Sequence, residues 1–163
     1  MRLFFAAWPP PDTAAKLALW ARQFEGRPTP AENIHLTLAF LGEANPDAAT
    51  AAARRAEGRK HHLPLEVARY WKHNQILWAG PRETPGELQA LVASLHAELR
   101  AAAFVLEDRP FSAHVTLLRK AKRLRTLPNL PALDWPIDDF VLVRSSVSSS
   151  GASYEALSRF PLG

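Results

Sequence analysis

The chain has no cysteine among its 163 residues. That excludes disulfides, thiolate nucleophiles and cysteine-ligated zinc or iron–sulfur centres. It also has no run of 18 apolar residues, so no membrane span is expected. The N-terminus runs directly into Arg2-Leu3-Phe4-Phe5 without a basic, then apolar, then small-residue pattern, and no signal peptide is expected. No glycine-rich phosphate loop of the Walker or dinucleotide type occurs. What remains is an apolar fraction of 47% and a charged fraction of 22%, the balance of an ordinary globular protein. A chain of this length is expected to form one unit over 1–163, to bury ~70% of its unfolded surface, and to suit the cytoplasm.

Acids are missing from one stretch. None occurs between Asp108 and Asp134, while Arg119-Lys120-Ala121-Lys122-Arg123-Leu124-Arg125 holds five cations. Within a net charge of +4, this is a local patch that attracts polyanions.

The strongest positive signal is a repeat. His35-Leu36-Thr37-Leu38 returns as His114-Val115-Thr116-Leu117, 79 positions later. Both copies lie in alternating apolar runs that read as strands. Side chains at i and i+2 share a strand face, so His35 and Thr37 point one way while Ile34, Leu36, Leu38 and Phe40 point to the core. His114 and Thr116 likewise share a face.

The surrounding pattern predicts a strand over Arg2–Trp8 and a helix capped by Asp12 with Leu17, Trp20, Ala21 and Phe24 on one face. The first motif strand is placed at Ile34–Leu41. An Ala-rich helix then opens at Asn45-Pro46 and runs to about Gly58. A hairpin is predicted over Leu63–Lys72 and Gln75–Ala79, turning at His73-Asn74. Thr84-Pro85-Gly86-Glu87 has the form of a capping box before a helix that carries Leu88, Leu91, Val92, Leu95 and Leu99. The second motif strand is placed at Phe111–Leu118, and final strands at Ile137–Val147 and Tyr154–Phe160. The basic segment and Leu127–Pro136 read as loop. The order strand, helix, His-x-Thr strand thus occurs twice. The expected fold is α+β: two similar lobes of mainly antiparallel sheet, related by a pseudo-twofold axis, with outer helices around a central cleft.

The chemistry follows from the residue types. Imidazole titrates near ~6.5, so of two histidines one can take a proton while the other gives one. Thr37 and Thr116 can donate to non-bridging phosphate oxygens, and Arg119 can add a bidentate grip. The expected reaction is in-line displacement at phosphorus. No acid sits inside either motif, so no metal site and no cofactor are expected. His61-His62 reads as a solvated helix terminus, His73 as a turn residue and His96 as a boundary residue. Trp20 and Trp78 read as core, and Trp8, Trp71 and Trp135 as either core or base-stacking residues.

At these residues the chain resembles the 2H phosphoesterases, and within them the bacterial and archaeal RNA 2′,3′-cyclic phosphodiesterases once called 2′-5′ RNA ligases. The similarity runs nearly end to end. It takes in Arg2-Leu3-Phe4-Phe5-Ala6, the stretch Asn33 to Gly42, Leu77-Trp78-Ala79-Gly80, Arg109-Pro110-Phe111, the stretch His114 to Arg119, Ser146 and Tyr154. The resemblance implies metal-independent opening of a 2′,3′-cyclic phosphate to a 2′-phosphomonoester and a reversible 2′-5′ ligation. It implies His35 as proton donor to the 3′-oxygen and His114 as the proton acceptor that activates water. It also implies Thr37 and Thr116 on phosphate oxygens, Arg119 on substrate, and a monomer acting on RNA ends or tRNA fragments. Ala113 stands where the family often has proline. Two other readings stay open: a phosphodiesterase for a small cyclic nucleotide or 2′-5′ oligonucleotide, and a nucleotide- or RNA-binding module without turnover.

Overall fold

The computed structural model describes all residues except Arg123 and Arg125. Two members of the cationic segment therefore lie outside the described residues. β1 (Arg2–Ala7) leads into α1 (Pro11–Ala21), then a short β2 (Arg27–Pro28) and the motif strand β3 (Leu36–Glu43). α2 (Pro46–Ala53), β4 (His61–Leu65) and β5 (Val67–Trp71) complete the first half. The second half runs β6 (Ile76–Gly80), α3 (Gly86–Ala101), the motif strand β7 (Val115–Arg119), β8 (Leu133–Ile137), β9 (Asp139–Ser148) and β10 (Gly151–Pro161).

One sheet in the order β10-β9-β1-β3-β7-β6-β5 spans both halves, with β2 added to β7. Every pairing among the described residues is antiparallel. The expected α+β pseudo-symmetric pair of lobes is what forms: β1-α1-β3 on one side and β6-α3-β7 on the other. Each half also lends an edge to its counterpart. β5 follows β3 in the chain yet pairs with β6, and β9 follows β7 yet pairs with β1. The connecting strands β4 and β8 pair with each other as a separate ribbon.

The helices cover one face of the sheet. Leu17 and Trp20 of α1 and Leu88, Leu91, Leu95 and Leu99 of α3 share a core with Leu3, Phe5, Leu36, Leu38, Val115 and Leu117. Phe4, Ala6, Val141 and Val143 form a second apolar cluster, joined by Trp8 and Tyr154. These belong to the opposite face, because Phe4 and Ala6 alternate with Leu3 and Phe5 along β1.

Several local expectations change. α1 starts at Pro11 with no side-chain cap, so Asp12 lies in its first turn rather than capping it. Thr84 does not cap α3 either, since that helix opens from Pro85. α2 stops at Ala53, well short of Gly58, although Asn45 caps it by accepting from the Ala48 N–H at 3.0 Å. Leu133–Pro136, read as loop, belongs to a strand because this stretch pairs with β4. His61 and His62 lie in that ribbon, not at a helix end. His61 is buried, and His62 Nδ1 is 2.6 Å from the Asp134 carboxylate.

The clearest departure is in β3. Ala6 pairs with Thr37 and Phe5 with Ala39, so Leu38 is passed over in the ladder. The extra residue reverses the alternation that follows. Phe40 therefore faces the same side as Thr37, opposite Phe4, and its ring is 60% exposed rather than in the core. The carbonyl freed at Leu38 accepts from His96 Nε2 at 2.7 Å. His96→Leu should leave that carbonyl without a partner and destabilise the protein by about 1–3 kcal/mol, read as a lower urea midpoint at unchanged slope.

Candidate active site

β3 and β7 meet through one ladder pair, Leu36 opposite Val115, and both side chains are fully buried. Their neighbours must then point to the other face of the sheet. Extending this antiparallel register by one residue in each direction sets His35 opposite Thr116 and Thr37 opposite His114. Directly opposed residues have Cβ atoms about 4.5–5.5 Å apart and diagonal ones about 7–8 Å apart. The two imidazoles thus occupy diagonal corners of a small square, with the two hydroxyls at the other corners. The space between them suits a phosphoryl group.

Both rings are held in the same way. His35 Nδ1–H donates to the Asn33 carbonyl at 2.7 Å, and His114 Nδ1–H donates to the Ser112 carbonyl at 3.0 Å. A carbonyl can only accept, so each neutral ring carries its proton on Nδ1 and leaves Nε2 free. The Thr37 hydroxyl donates to His35 Nε2 at 3.1 Å. Asn33 is itself tied to β10 through a 3.3 Å bond from its amide to the Ala152 carbonyl. On the second lobe, a Cβ at Gly80 would come within 2.7 Å of the Ala113 carbonyl oxygen and 3.0 Å of the Trp78 ring. Only glycine lets β6 approach the residue that precedes His114 so closely.

The surroundings of the two rings differ. Trp8 stacks on His35 at 4.7 Å and 20°, while Phe4 and Tyr154 lie 5.1 and 5.3 Å from it. The Trp8 indole is anchored by a 2.9 Å bond to the Glu32 carbonyl. Burial under these rings disfavours the imidazolium and pushes His35 down to about 4, with Arg119 and His114 adding repulsion. His114 has Trp71 edge-on at 4.9 Å and Trp78 at 6.1 Å. Burial also lowers its pKa, again with Arg119 as a repelling charge. Both rings are neutral at pH 7 in the free protein.

Arg119 reaches the site because β7 breaks its alternation as β3 does. Trp78 pairs with Thr116 and Leu77 with Leu118, so Leu117 is passed over. Arg119 then faces the same side as Thr116. Ala121 and Lys122 of the basic segment are tied to the body by their backbones. Ala121 is buried, its N–H donates to the Gln75 carbonyl at 2.9 Å, and the Lys122 N–H donates to Glu25 at 3.0 Å.

The structure thus gathers His35, Thr37, His114, Thr116 and Arg119 on one face. It adds residues that sequence reasoning did not assign to the site. Trp78, read as core, is 9% exposed but stands on the site face beside His114. Phe4, Trp8, Trp71 and Tyr154 form the rest of the wall. The repeated step from each histidine back to a carbonyl two residues earlier was visible only as spacing. Among the described residues, no group of three or more His, Asp or Glu is placed to hold a metal ion.

Comparison with known proteins agrees with this geometry. Residues 8–78 match the family model described as LigT like phosphoesterase. The chain is 34% identical to the RNA 2′,3′-cyclic phosphodiesterase of Escherichia coli K12, covering 99% of this chain and 96% of that protein. It is also 34% identical to the RNA 2′,3′-cyclic phosphodiesterase of Thermus thermophilus, covering 99% and 90%. The crystal structure of E. coli LigT complexed with 3′-AMP superposes with a TM-score of 0.91 at 31% identity, covering 99% of this chain and 97% of that one.

The Trp8 stack has a measurable consequence. In Trp8→Ala the His35 ring gains water, and its pKa should rise from about 4 towards the ordinary 6.5. An NMR titration of the ring protons reads this directly, and an unchanged midpoint would show that Trp8 does not set it.

Proposed function

The chain belongs to the LigT-like phosphoesterase family, and we propose that it opens 2′,3′-cyclic phosphodiester ends of RNA or tRNA fragments to 2′-phosphomonoesters. The observation that carries this reading is the diagonal pair of imidazoles, each presenting Nε2 to one space flanked by threonine hydroxyls. His114 Nε2 takes a proton from water, and the water oxygen attacks phosphorus. The bond from phosphorus to the ribose 3′-oxygen breaks on the far side. His35, protonated at Nε2, gives its proton to that oxygen. Thr37 and Thr116 donate to the non-bridging oxygens, and Arg119 balances the charge that builds on them. Run backwards with an RNA hydroxyl in place of water, the same steps give a 2′-5′ ligation. The intact duplication supports turnover over mere phosphate binding, which would not require two unprotonated Nε2 atoms. The cysteine-free composition suits the cytoplasm, where the protein would act as a monomer.

Burial makes His35 a reluctant proton carrier in the free protein, and an anionic phosphate at the site favours the imidazolium and raises its pKa. The form that reacts has His35 charged and His114 neutral. In kcat/KM, which reports the free protein, this form is most populated on the acidic side of neutrality, between the His35 value of about 4 and the lowered His114 value. In kcat, which reports the bound state, the optimum should move to higher pH. Coincident optima would contradict the role given to the bound anion.

His35→Ala and His114→Ala should each lower kcat on an RNA bearing a 2′,3′-cyclic phosphate by roughly 10²–10⁴-fold. The wild-type rate should persist in EDTA. Full activity in either single variant would remove the pair from catalysis.

Neutralising Lys120, Lys122 and Arg123 should weaken a long RNA more than a cyclic mononucleotide. It should also reduce the salt slope by about 0.7 per lost phosphate contact. Equal losses for both ligands would take the segment out of RNA binding.

A further inference from the structure

A water molecule asks little of the protein on the His114 side: one nitrogen to take its proton. The second lobe carries more than that there. Trp78 pairs with Thr116 on one side and with Arg69 on the other. Thr116, Trp78 and Arg69 thus form one row across β7, β6 and β5 on the site face. Trp71, two residues beyond Arg69 on β5, shares that face. It is half-buried, and its ring lies 4.9 Å from the His114 ring, 4.9 Å from Trp78 and 6.1 Å from His73 in the turn that follows. β5 is the last strand of the sheet, so this surface is open on its outer side.

The charge on this side has one sign. β5, β6 and β7 contain no acid, whereas β3, β9 and β10 each contain one, Glu43, Asp139 and Glu155. From Val67 to Arg82 the chain has no carboxylate, while Arg69 and Lys72 stand exposed in that stretch. Arg69 makes no ion pair among the described residues. Its backbone is two strand spacings, about 10 Å, from Thr116, and Trp78 stands between them. Arg69 is therefore placed for a second phosphate, not for the one between the histidines. A cation and an indole on an acid-free surface suit a single RNA strand.

We infer that Trp71 and Arg69 seat a second RNA strand, the one whose 5′-hydroxyl takes the place of water in ligation. This rests on the roles proposed for the two histidines. In-line displacement sets the nucleophile opposite the leaving 3′-oxygen, so a strand that supplies it arrives past His114. Its first nucleoside lies against Trp71, and the phosphate on the 3′ side of that nucleoside meets Arg69. The 5′-oxygen bonds to phosphorus and its proton passes to His114 Nε2. The bond from phosphorus to the 3′-oxygen of the cyclic end breaks, and that oxygen takes the proton of His35. No other reactant is needed. A stack reads no base edge, so the strand is chosen by its free 5′ end and not by its sequence.

The test saturates the whole protein with adenosine 2′-monophosphate and titrates in an adenosine trinucleotide with a free 5′-hydroxyl, followed by calorimetry. The trinucleotide is expected to bind without displacing the monophosphate. Trp71→Ala should weaken it roughly 5- to 100-fold, and Trp71→Phe should restore most of the loss. Arg69→Ala should weaken it too and reduce its salt slope by about 0.7, the share of one phosphate, while Arg69→Lys keeps the slope. Arg69→Ala should leave the affinity for the monophosphate unchanged. Thermal unfolding checks that each variant is folded. A trinucleotide that displaces the monophosphate, that does not bind, or that binds equally well in Trp71→Ala and Arg69→Ala would overturn the second seat. With a cyclic-ended RNA as donor, Arg69→Ala should lower the ligated fraction while hydrolysis keeps its rate. Hydrolysis by wild type with no effect of either residue on the trinucleotide sinks the seat alone. Binding that depends on both residues, without turnover of the cyclic end, sinks the proposed activity and leaves the seat standing.

Discussion

One ladder pair, Leu36 opposite Val115, is the contact on which the site depends. It is the only ladder pair between β3 and β7 among the described residues, and it fixes both the distance and the phase of the two motifs. A slip of one residue would turn one strand over and send its histidine into the helix-covered core, away from the other. Burial of this pair in the shared core resists such a slip, because exposing a Leu or Val costs about 1.5–3 kcal/mol. The exchange of edge strands adds a second restraint. With β5 on the second lobe and β9 on the first, neither lobe can rotate without dragging strands from the other half.

Within that frame, placement and protonation pull in opposite directions. The aromatic cover that holds His35 in position also removes water from it, and so disfavours the charged form that a proton donor needs. Arg119 sharpens the conflict, since the guanidinium that suits a phosphate repels an imidazolium. A bound phosphate resolves both at once by supplying the missing negative charge. Under the proposed roles, the free site is poised for an anion and the ligand arms its acid. The Thr37 hydroxyl fits the same logic. It donates to His35 Nε2 while that nitrogen is bare, and protonation of the nitrogen would free it for a phosphate oxygen, as the proposed mechanism requires.

Much of this was legible in the residues. The His-x-Thr repeat, the helix face of Leu88, Leu91, Val92, Leu95 and Leu99, and the hairpin at His73-Asn74 all follow from periodicity and turn chemistry, and all are present. What periodicity could not supply was its own interruption. A strict period of two puts Phe40 in the core, yet the irregularity at Leu38 turns it outward. Nothing local marks the residue that a ladder skips, because the skip is settled by the partner strand and by the His96 bond to Leu38. The same blindness applies to β8, where proline-rich sequence looks like loop until β4 is beside it, and to His61, whose burial comes from that ribbon. Trp78, read as a buried strand residue, is buried in β6 but beside His114, since alternation names two faces but not which of them carries the chemistry.

A duplicated scaffold sets a further condition. Perfect twofold symmetry would give two equivalent imidazoles, and equivalent groups cannot divide acid from base. The division has to come from what surrounds them. Here the motif and its backbone tether are kept in both lobes, while the neighbours diverge: a face-on tryptophan at His35 against an edge-on one at His114, and Phe40 against Arg119. The ring under the heavier aromatic cover is also the one on the side of the apolar, exposed Phe40. The ring beside Arg119 lies where charge and solvent are closer. Asymmetry in these few positions is enough to give a symmetric pair of strands a direction.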